Sequence, residues 1–374
     1  MKHIPLAKPY FTEEEIDEVR DTLQSGWVAQ GPRVKKLEDI ISQHSDAKYG
    51  VAVNSCTSAL HLSLLAHGLG HGDKIIVPDF TYTATGNVTL HIGAVPVLVD
   101  IDPITLCIDP TKIEEKIDKE VKAIIPVHAF GYPAEIQKIN QIAEDHNLIV
   151  IEDAALALGS EINNKKIGSF QNTTCFSLQA RKIITTGEGG MILSSSEEIT
   201  EKLRAMRSQG AISQKSSEHE INLPIFRMLG LSYRLSDMQA AIGIVQMKRI
   251  NDFINKRTNL AHHYNDLFVD SGLNIQPPKI SKDIRQNFQT YVVILNQGNR
   301  NQIITKLKKK QIESTIGTYA LSHQPLFKTK EQFPISEHAF LNSLALPMYH
   351  ELTEDDVNYI VKSIKQIITS GDMV

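Results

Sequence analysis

Between Val51 and Ser195 the chain alternates short apolar runs with longer stretches of mixed polarity. The runs are KYGVAVN, KIIVP, VPVLVD, KAIIPVH, LIVIED, TTCFSL and GGMILSS. Most lack the strict polar alternation of a half-exposed strand, so they read as strands covered on both faces. Helical patterns fall between them at Thr57 to Gly68, Ala134 to Asn147 and Glu197 to Arg207. This rhythm predicts crossover units and an α/β fold, a largely parallel sheet flanked by helices. Active groups in such sheets sit beyond the carboxyl ends of the strands, where loops lead into helices.

After Arg234 the texture changes. Roughly Ser236 to Val269 carries apolar residues at Ile242, Val245, Ile250 and Phe253 with few breakers, which predicts one long helix leading into a second unit. Beyond it come a strand, TYVVIL, a lysine-rich helix near Ile303 to Gln311, and a last helix from about Thr353. Glu354, Asp355 and Asp356 fall in that helix's first turn, where they complement its dipole. The expected organisation is a large domain over residues 1–245, N-terminal arm included, and a smaller α+β domain over residues 246–374. The polar QKSSEHE stretch near Gln214 reads as a mobile loop, and the KKK at Lys308 to Lys310 as a solvated helix end.

Composition narrows the function. At 374 residues the chain exceeds one ordinary core, and 41% hydrophobic with 22% charged residues describes a globular, soluble protein. A formal charge of −4 gives no basic footprint for nucleic acid or an anionic membrane. Cys56, Cys107 and Cys175 are odd in number, far apart and without CxxC spacing, which argues against a disulfide framework or a cysteine-rich zinc site and for a cytoplasmic setting. The opening MKHIPLAKPYFTEEE lacks a signal-peptide apolar region, and no stretch approaches the roughly 18 uninterrupted apolar residues of a membrane span. The expected partners are small molecules and copies of the chain itself.

Candidate chemistry centres on Lys182, which follows the apolar stretch Thr174 to Leu178 and precedes the turn Gly187 to Gly190. A lysine held in a partly dry pocket can lose its proton and act as a nucleophile or Schiff-base former. Asp153 closes the run LIVIED with one predicted strand between it and Lys182, so both belong at strand ends. A carboxylate there either caps the next segment or pairs with a cation such as a protonated pyridine nitrogen. Lysine with such a carboxylate is the basic protein equipment for pyridoxal phosphate chemistry. In NSCTSALHLSLL, residues Asn54 to Ser58 put small hydroxylated side chains where a strand gives way to a helix. That pattern serves a phosphate cradle or a plain N-cap equally well. Ser177 adds a donor near Lys182. In VPDFTYTATGN, Phe80 and Tyr82 are spaced to face one side of an extended segment, for core packing or for stacking on a ring.

Taken in order, IPLAKPYFTEEEI, SGWVAQGPRV, NSCTSALHLSLLAHGLGHGD, PVHAFGYPAE, IEDAALALGS, FSLQARKIITTGEGGMI, LSYRLSDMQAAIG and LALPMYHELTEDDV resemble the DegT/DnrJ/EryC1/StrS sugar aminotransferases. The resemblance runs nearly end to end. It implies the type I fold of pyridoxal phosphate enzymes, with a mostly parallel seven-stranded sheet in the large domain. It also implies that Lys182 carries pyridoxal 5'-phosphate as an internal aldimine, with pyridoxamine phosphate as intermediate. Asp153 then meets the pyridine nitrogen, Tyr82 stacks on the ring, and Thr57, Ser58 and Ser177 bind the phosphate. The family's NYR motif, which reaches the neighbouring subunit's site, is matched by Ser232, Tyr233 and Arg234, and implies a homodimer with Ser232 at the partner's phosphate. Substrate contacts fall on Arg234, Tyr319 and His323.

The implied reaction moves an amino group from L-glutamate to a nucleotide-linked keto-sugar, UDP-, dTDP- or GDP-linked, with a 4-keto-6-deoxy sugar favoured. Its products are amino sugars for cell-surface polymers such as O-antigen or for secondary metabolites. Alternatives within the fold are a pyridoxamine phosphate-dependent dehydratase and a non-catalytic regulatory module. The family's dehydratases typically carry histidine where this chain has Lys182, which favours amination. Three positions depart from the family pattern: Leu156 follows EDAA in place of Gln or His, Ser232 replaces asparagine, and Ser322 stands at the usual histidine position with His323 beside it.

Overall fold

The structure is a computed structural model that describes residues 2–212 and 223–370; the polar stretch from Gln214 lies outside the described residues. All seven apolar runs form strands of one sheet: β1 (Tyr49–Val53), β2 (Lys74–Pro78), β3 (Val95–Val99), β4 (Val121–Ile124), β5 (Ile149–Asp153), β6 (Thr173–Ser177) and β7 (Gly190–Ser194). Their order across the sheet is β1-β7-β6-β5-β4-β2-β3. β7 runs antiparallel to β1 and β6, and the other pairs are parallel. Every residue of β6 and β7 is buried, as the unbroken apolar runs require of strands covered on both faces.

Register brings the chemistry together. Asp153, last in β5, pairs with Cys175 of β6, while Gly190, first in β7, lies between Ser177 of β6 and Val53 of β1. The carboxyl ends of β1, β5 and β6 therefore meet at one edge.

Helices α1 (Glu13–Gln24), α2 (Pro32–His44), α3 (Cys56–Ala66), α4 (Thr83–His91), α5 (Ile136–Asp145) and α6 (Glu197–Arg207) belong to this first unit. The helix expected over Ser236 to Val269 is two helices, α7 (Asp237–Met247) and α8 (Ile250–Ser271). At the break, Arg249 leaves helical geometry (φ −111°, ψ 7°) and its guanidinium pairs with the buried Glu15 carboxylate of α1. Gln246 donates to the same Glu15 oxygen at 2.6 Å. A buried carboxylate needs such partners, and meeting them costs the helix its continuity.

The second sheet is antiparallel, ordered β8 (Ile275–Gln276), β9 (Tyr291–Leu295), β11 (Ser343–Leu346), β10 (Thr315–Ile316). It packs with α8, α9 (Arg300–Lys309) and α11 (Glu354–Thr369) around Tyr264, Tyr291, Phe268, Leu307 and Ile360, the first two rings stacked at 4.4 Å. Ile4 of the N-terminal arm is buried in this second core, and its N–H donates to Gln311 O at 2.9 Å. The arm, grouped by sequence with the first unit, thus packs its opening residues on the second.

Two aspartates at strand ends tie the units together. Asp79, just after β2, accepts from the Ser322 N–H at 2.7 Å and from its hydroxyl at 3.0 Å. Asp100, just after β3, accepts from the N–H and hydroxyl of Ser336, both at 2.8 Å, in the first turn of α10 (Pro334–Asn342).

Candidate active site

Lys182 lies in the loop from Leu178 to Gly189 that joins β6 to β7. The loop is closed by backbone bonds from Leu178 N–H to Gly189 O and from Thr186 N–H to Leu178 O, both 2.9 Å, and by Lys182 N–H to Gln179 O at 2.8 Å. Glycine is required here at two places. Gly187 has φ +83°, and a Cβ on Gly190 would stand 2.4 Å from Ser55 O. The second approach seats β7 directly against the turn that opens α3.

A cleft of about 500 Å³ opens above these strand ends. Lys182, Asp153, Thr57, Ser177 and Tyr82 all line it, as does Leu156. Burial holds the Lys182 amine below the ordinary lysine range, opposed by the nearby Cys56 and Asp153. Burial likewise pushes the Asp153 carboxyl above its ordinary value. Three kinds of neighbour pull it back: the Thr85 hydroxyl at 2.7 Å, the Ala155 N–H at 3.2 Å and the charge of Lys182. One cleft thus holds an amine that sheds its proton more easily than an ordinary lysine and a buried carboxyl whose charged form the Thr85 hydroxyl and the Ala155 amide favour. Cys56 is no competing nucleophile, because burial drives its thiol well above the usual thiol range.

In the same cleft, Ser55 caps α3 by accepting from Ser58 N–H at 3.0 Å. The amides of Cys56 and Thr57, in the first turn, have no intrahelical acceptor and stand at the positive end of the helix dipole. With the Thr57 and Ser177 hydroxyls they make a donor set for a dianion. Ser58 does not join it: its hydroxyl donates to Asn54 at 2.7 Å and lies 2.9 Å from that of Ser55, so it completes the cap.

The aromatic pair also separates. Phe80 is buried against Phe130 at 6.1 Å, whereas Tyr82 is 64% exposed at the cleft mouth. The two-residue strand Phe80–Thr81 ends before Tyr82, which takes the N-cap position of α4 with an extended backbone, and both residues line the cleft. Tyr319 stands with its ring 6.3 Å from that of Tyr82, on a short strand that pairs Tyr319 with Thr81.

Arg234, Ser232 and His323 are not brought to this cleft. Ser232 and Arg234 are exposed, on a segment that bridges to Ser208 and Val53. His323 lies 3.6 Å from Glu337, with its ring against Phe340. Ser322, the departure beside it, is spent on Asp79. Thr85 went unnoticed in the sequence; its hydroxyl, placed in the first turn of α4 and fully buried, carried no signal beyond its place after a strand. Among the described residues no cluster of His, Cys, Asp and Glu could hold a metal ion, and no helix is long and apolar enough to cross a membrane.

The donor set suits a ligand with three features: a phosphate for the α3 amides, a basic ring nitrogen for Asp153 and a carbonyl for Lys182. A putative sugar aminotransferase from Streptococcus pneumoniae, solved in a PMP form, superposes with a TM-score of 0.92 at 29% identity, covering 98% of this chain and 99% of that one. Its PLP form superposes equally well, with a TM-score of 0.91. The GDP-perosamine synthase of Caulobacter vibrioides is 33% identical over 98% of this chain and 99% of its own length. The UDP-4-amino-4-deoxy-L-arabinose–oxoglutarate aminotransferase of Shewanella sediminis is 33% identical over 98% of both. The fold is shared with a solved sugar aminotransferase, and the sequence relatives are named for aminotransferases and amino-sugar synthases, which places the chain in the aminotransferase class. The chain belongs to the DegT/DnrJ/EryC1/StrS aminotransferase family, whose sequence model matches residues 9–365.

Proposed function

We propose that this protein is a pyridoxal phosphate-dependent enzyme that moves an amino group from L-glutamate to a nucleotide-linked keto-sugar. The observation that carries the reading is Lys182, an amine held below its ordinary pKa within reach of the field of Asp153 in one cleft. Pyridoxal phosphate, when bound, supplies an electron sink for the carbon that bears the amine.

The chain's own residues do the rest. Thr57, Ser177 and the first-turn amides of α3 hold the phosphate, Asp153 keeps a proton on the ring nitrogen, and Tyr82 covers a ring face. Lys182 Nζ is the covalent anchor. With its proton more easily lost than an ordinary lysine's, Nζ would take the proton from the donor's α-carbon and, in the second half-reaction, deliver one to the sugar carbon that gains the amine. Cleft walls at Phe130, Leu156 and Ile316 present no hydrogen-bonding side chain, which suits a deoxygenated sugar carbon. That favours a 6-deoxy acceptor, and the relative named for a 4-amino-4-deoxy pentose supports amination at C4; the oxoglutarate in that name supports glutamate as donor. The exposed Ser232 and Arg234, which do not line their own cleft, fit a cytoplasmic homodimer in which they serve the partner's site.

The test is single turnover: protein loaded with pyridoxamine phosphate is mixed with a panel of UDP-, dTDP- and GDP-linked 3-keto and 4-keto sugars. Reappearance of pyridoxal phosphate absorbance with a 4-keto sugar, and 2-oxoglutarate release in the glutamate half-reaction, is the expected result. Reaction with simple keto acids alone would overturn the sugar assignment.

A further inference from the structure

We propose that Gln289 is a positioning residue for Lys182, holding the lysine's backbone from both sides and so fixing where its amine stands in the cleft. The inference rests on the proposed role of Lys182. Gln289 lies two residues before the start of β9, is buried, and lines the same cleft. Its side-chain oxygen accepts from Ile183 N–H at 2.7 Å, and its side-chain nitrogen donates to Arg181 O at 2.8 Å. These are the peptide groups on either side of Lys182. The amide can point only one way, because an N–H only donates and a carbonyl only accepts. Among standard side chains, a primary amide is the group that offers one donor and one acceptor side by side in this plane.

Gln289 is itself held from behind. Its N–H donates to Asn287 Oδ1 at 2.9 Å, and its carbonyl accepts from the buried guanidinium of Arg257, on α8, at 2.9 Å. Phe288 between them takes a left-handed φ of +46°, a conformation a bulky residue adopts only when its surroundings impose it. The other end of the same tripeptide grips the second half of the site. Asn287 Nδ2 donates to Leu156 O at 2.9 Å and to Leu158 O at 3.0 Å, in the loop that follows Asp153. Residues 287–289 therefore reach from the second unit to both loops that carry the reacting pair, and set the separation of Lys182 from Asp153. Arg257 makes that separation depend on where α8 lies.

A purely structural hydrogen bond would affect melting and nothing else, so the readout must report on the amine. Gln289→Met keeps the chain length and removes both bonds; Gln289→Asn keeps the amide but cannot span both partners. In cofactor-free protein, the pH dependence of Lys182 acylation by an amine-reactive reagent, read by peptide mass, gives the amine's own titration. It needs no substrate, so it tests the clamp even if the sugar assignment fails. Both variants should shift this titration upward toward ordinary lysine as water enters the loosened loop. Single-turnover rates in loaded protein should fall about 10- to 100-fold, the usual consequence of a displacement near 1 Å. Should the methionine variant not fold, the asparagine variant carries the same two readouts. An unchanged Lys182 titration and turnover rate in the folded variants, with or without a lower melting temperature, overturns the proposal.

Discussion

Thr85 donates its hydroxyl to Asp153 Oδ2 at 2.7 Å, from the first turn of α4 into the carboxyl end of β5. Burial works against the Asp153 carboxylate, and this bond is the strongest specific contact working for it. A hydrogen bond to the charged form favours that form, so Thr85 keeps available the negative charge on which the proposed electron sink depends.

Thr85→Val conserves shape and removes the bond. Asp153 should then move further above its ordinary carboxyl value, leaving a smaller ionised fraction at any given pH. The acidic limb of the kcat/KM profile should shift to higher pH, with a loss of up to about 10-fold on that limb, as expected for about 1.4 kcal/mol. A pH profile unchanged from the parent would refute the assignment.

Lys182→Met should abolish turnover and the cofactor's lysine-linked absorption band. Its effect on stability has a defined sign. In the folded state the amine titrates below its ordinary value of 10.5, so between the two values the unfolded chain binds more protons than the folded one. Stability of the cofactor-free parent should therefore rise with pH across that window relative to the methionine variant, and the penalty of the buried ammonium is fully present below it. Urea unfolding of the pair at pH 7 and pH 10 checks this: the gap in favour of the variant should narrow at the higher pH.

Glu38 and Arg207 form a buried ion pair at 2.5 Å that joins α2 to α6, and both also bond the Ala52 peptide of β1, at 2.9 and 2.7 Å. Removing one partner leaves a buried charge without compensation, so Arg207→Met should cost about 3–5 kcal/mol. The double variant Arg207→Met with Glu38→Leu should recover most of that loss. Denaturant midpoints of the single and double variants decide it.

Asp100 links the first sheet to α10 and should matter most above acid pH. Burial alone would raise its pKa, yet the Ser336 hydroxyl and the amides of Ser336, Ile101 and Ile335 outweigh it and hold the group below the usual 3.8. A depressed carboxyl contributes stability that is complete above the unfolded value and lost as pH falls through the folded one. Asp100→Asn should cost about 2 kcal/mol at pH 7, in the range of charge-assisted bonds, and progressively less as the pH falls below the usual 3.8. Thermal unfolding across that range is the measurement.

The seven strands, the helices α3, α5 and α6 and the final capped helix were legible in the sequence, because burial on both faces writes itself as an unbroken apolar run and a helix as a periodic one; α4, over Thr83–His91, was not. Lys182, Asp153, Thr57 and Ser177, which line one cleft, were singled out for a related reason: Asp153 and Ser177 end strands, Thr57 lies in the first turn of a helix and Lys182 in the loop after a strand, where an α/β sheet places its chemistry. Tertiary structure decided what local patterns do not encode. It broke the long helix at Arg249 to satisfy Glu15, moved the arm's Ile4 into the second core, and buried Phe80 while leaving Tyr82 exposed. It turned Ser58 back into its own cap and enlisted Thr85 and Gln289. In each case the deciding partner lies far along the chain, as Gln289 does from Lys182. Spacing fixes which face a residue presents, but only the folded packing fixes which distant donor or acceptor meets it there.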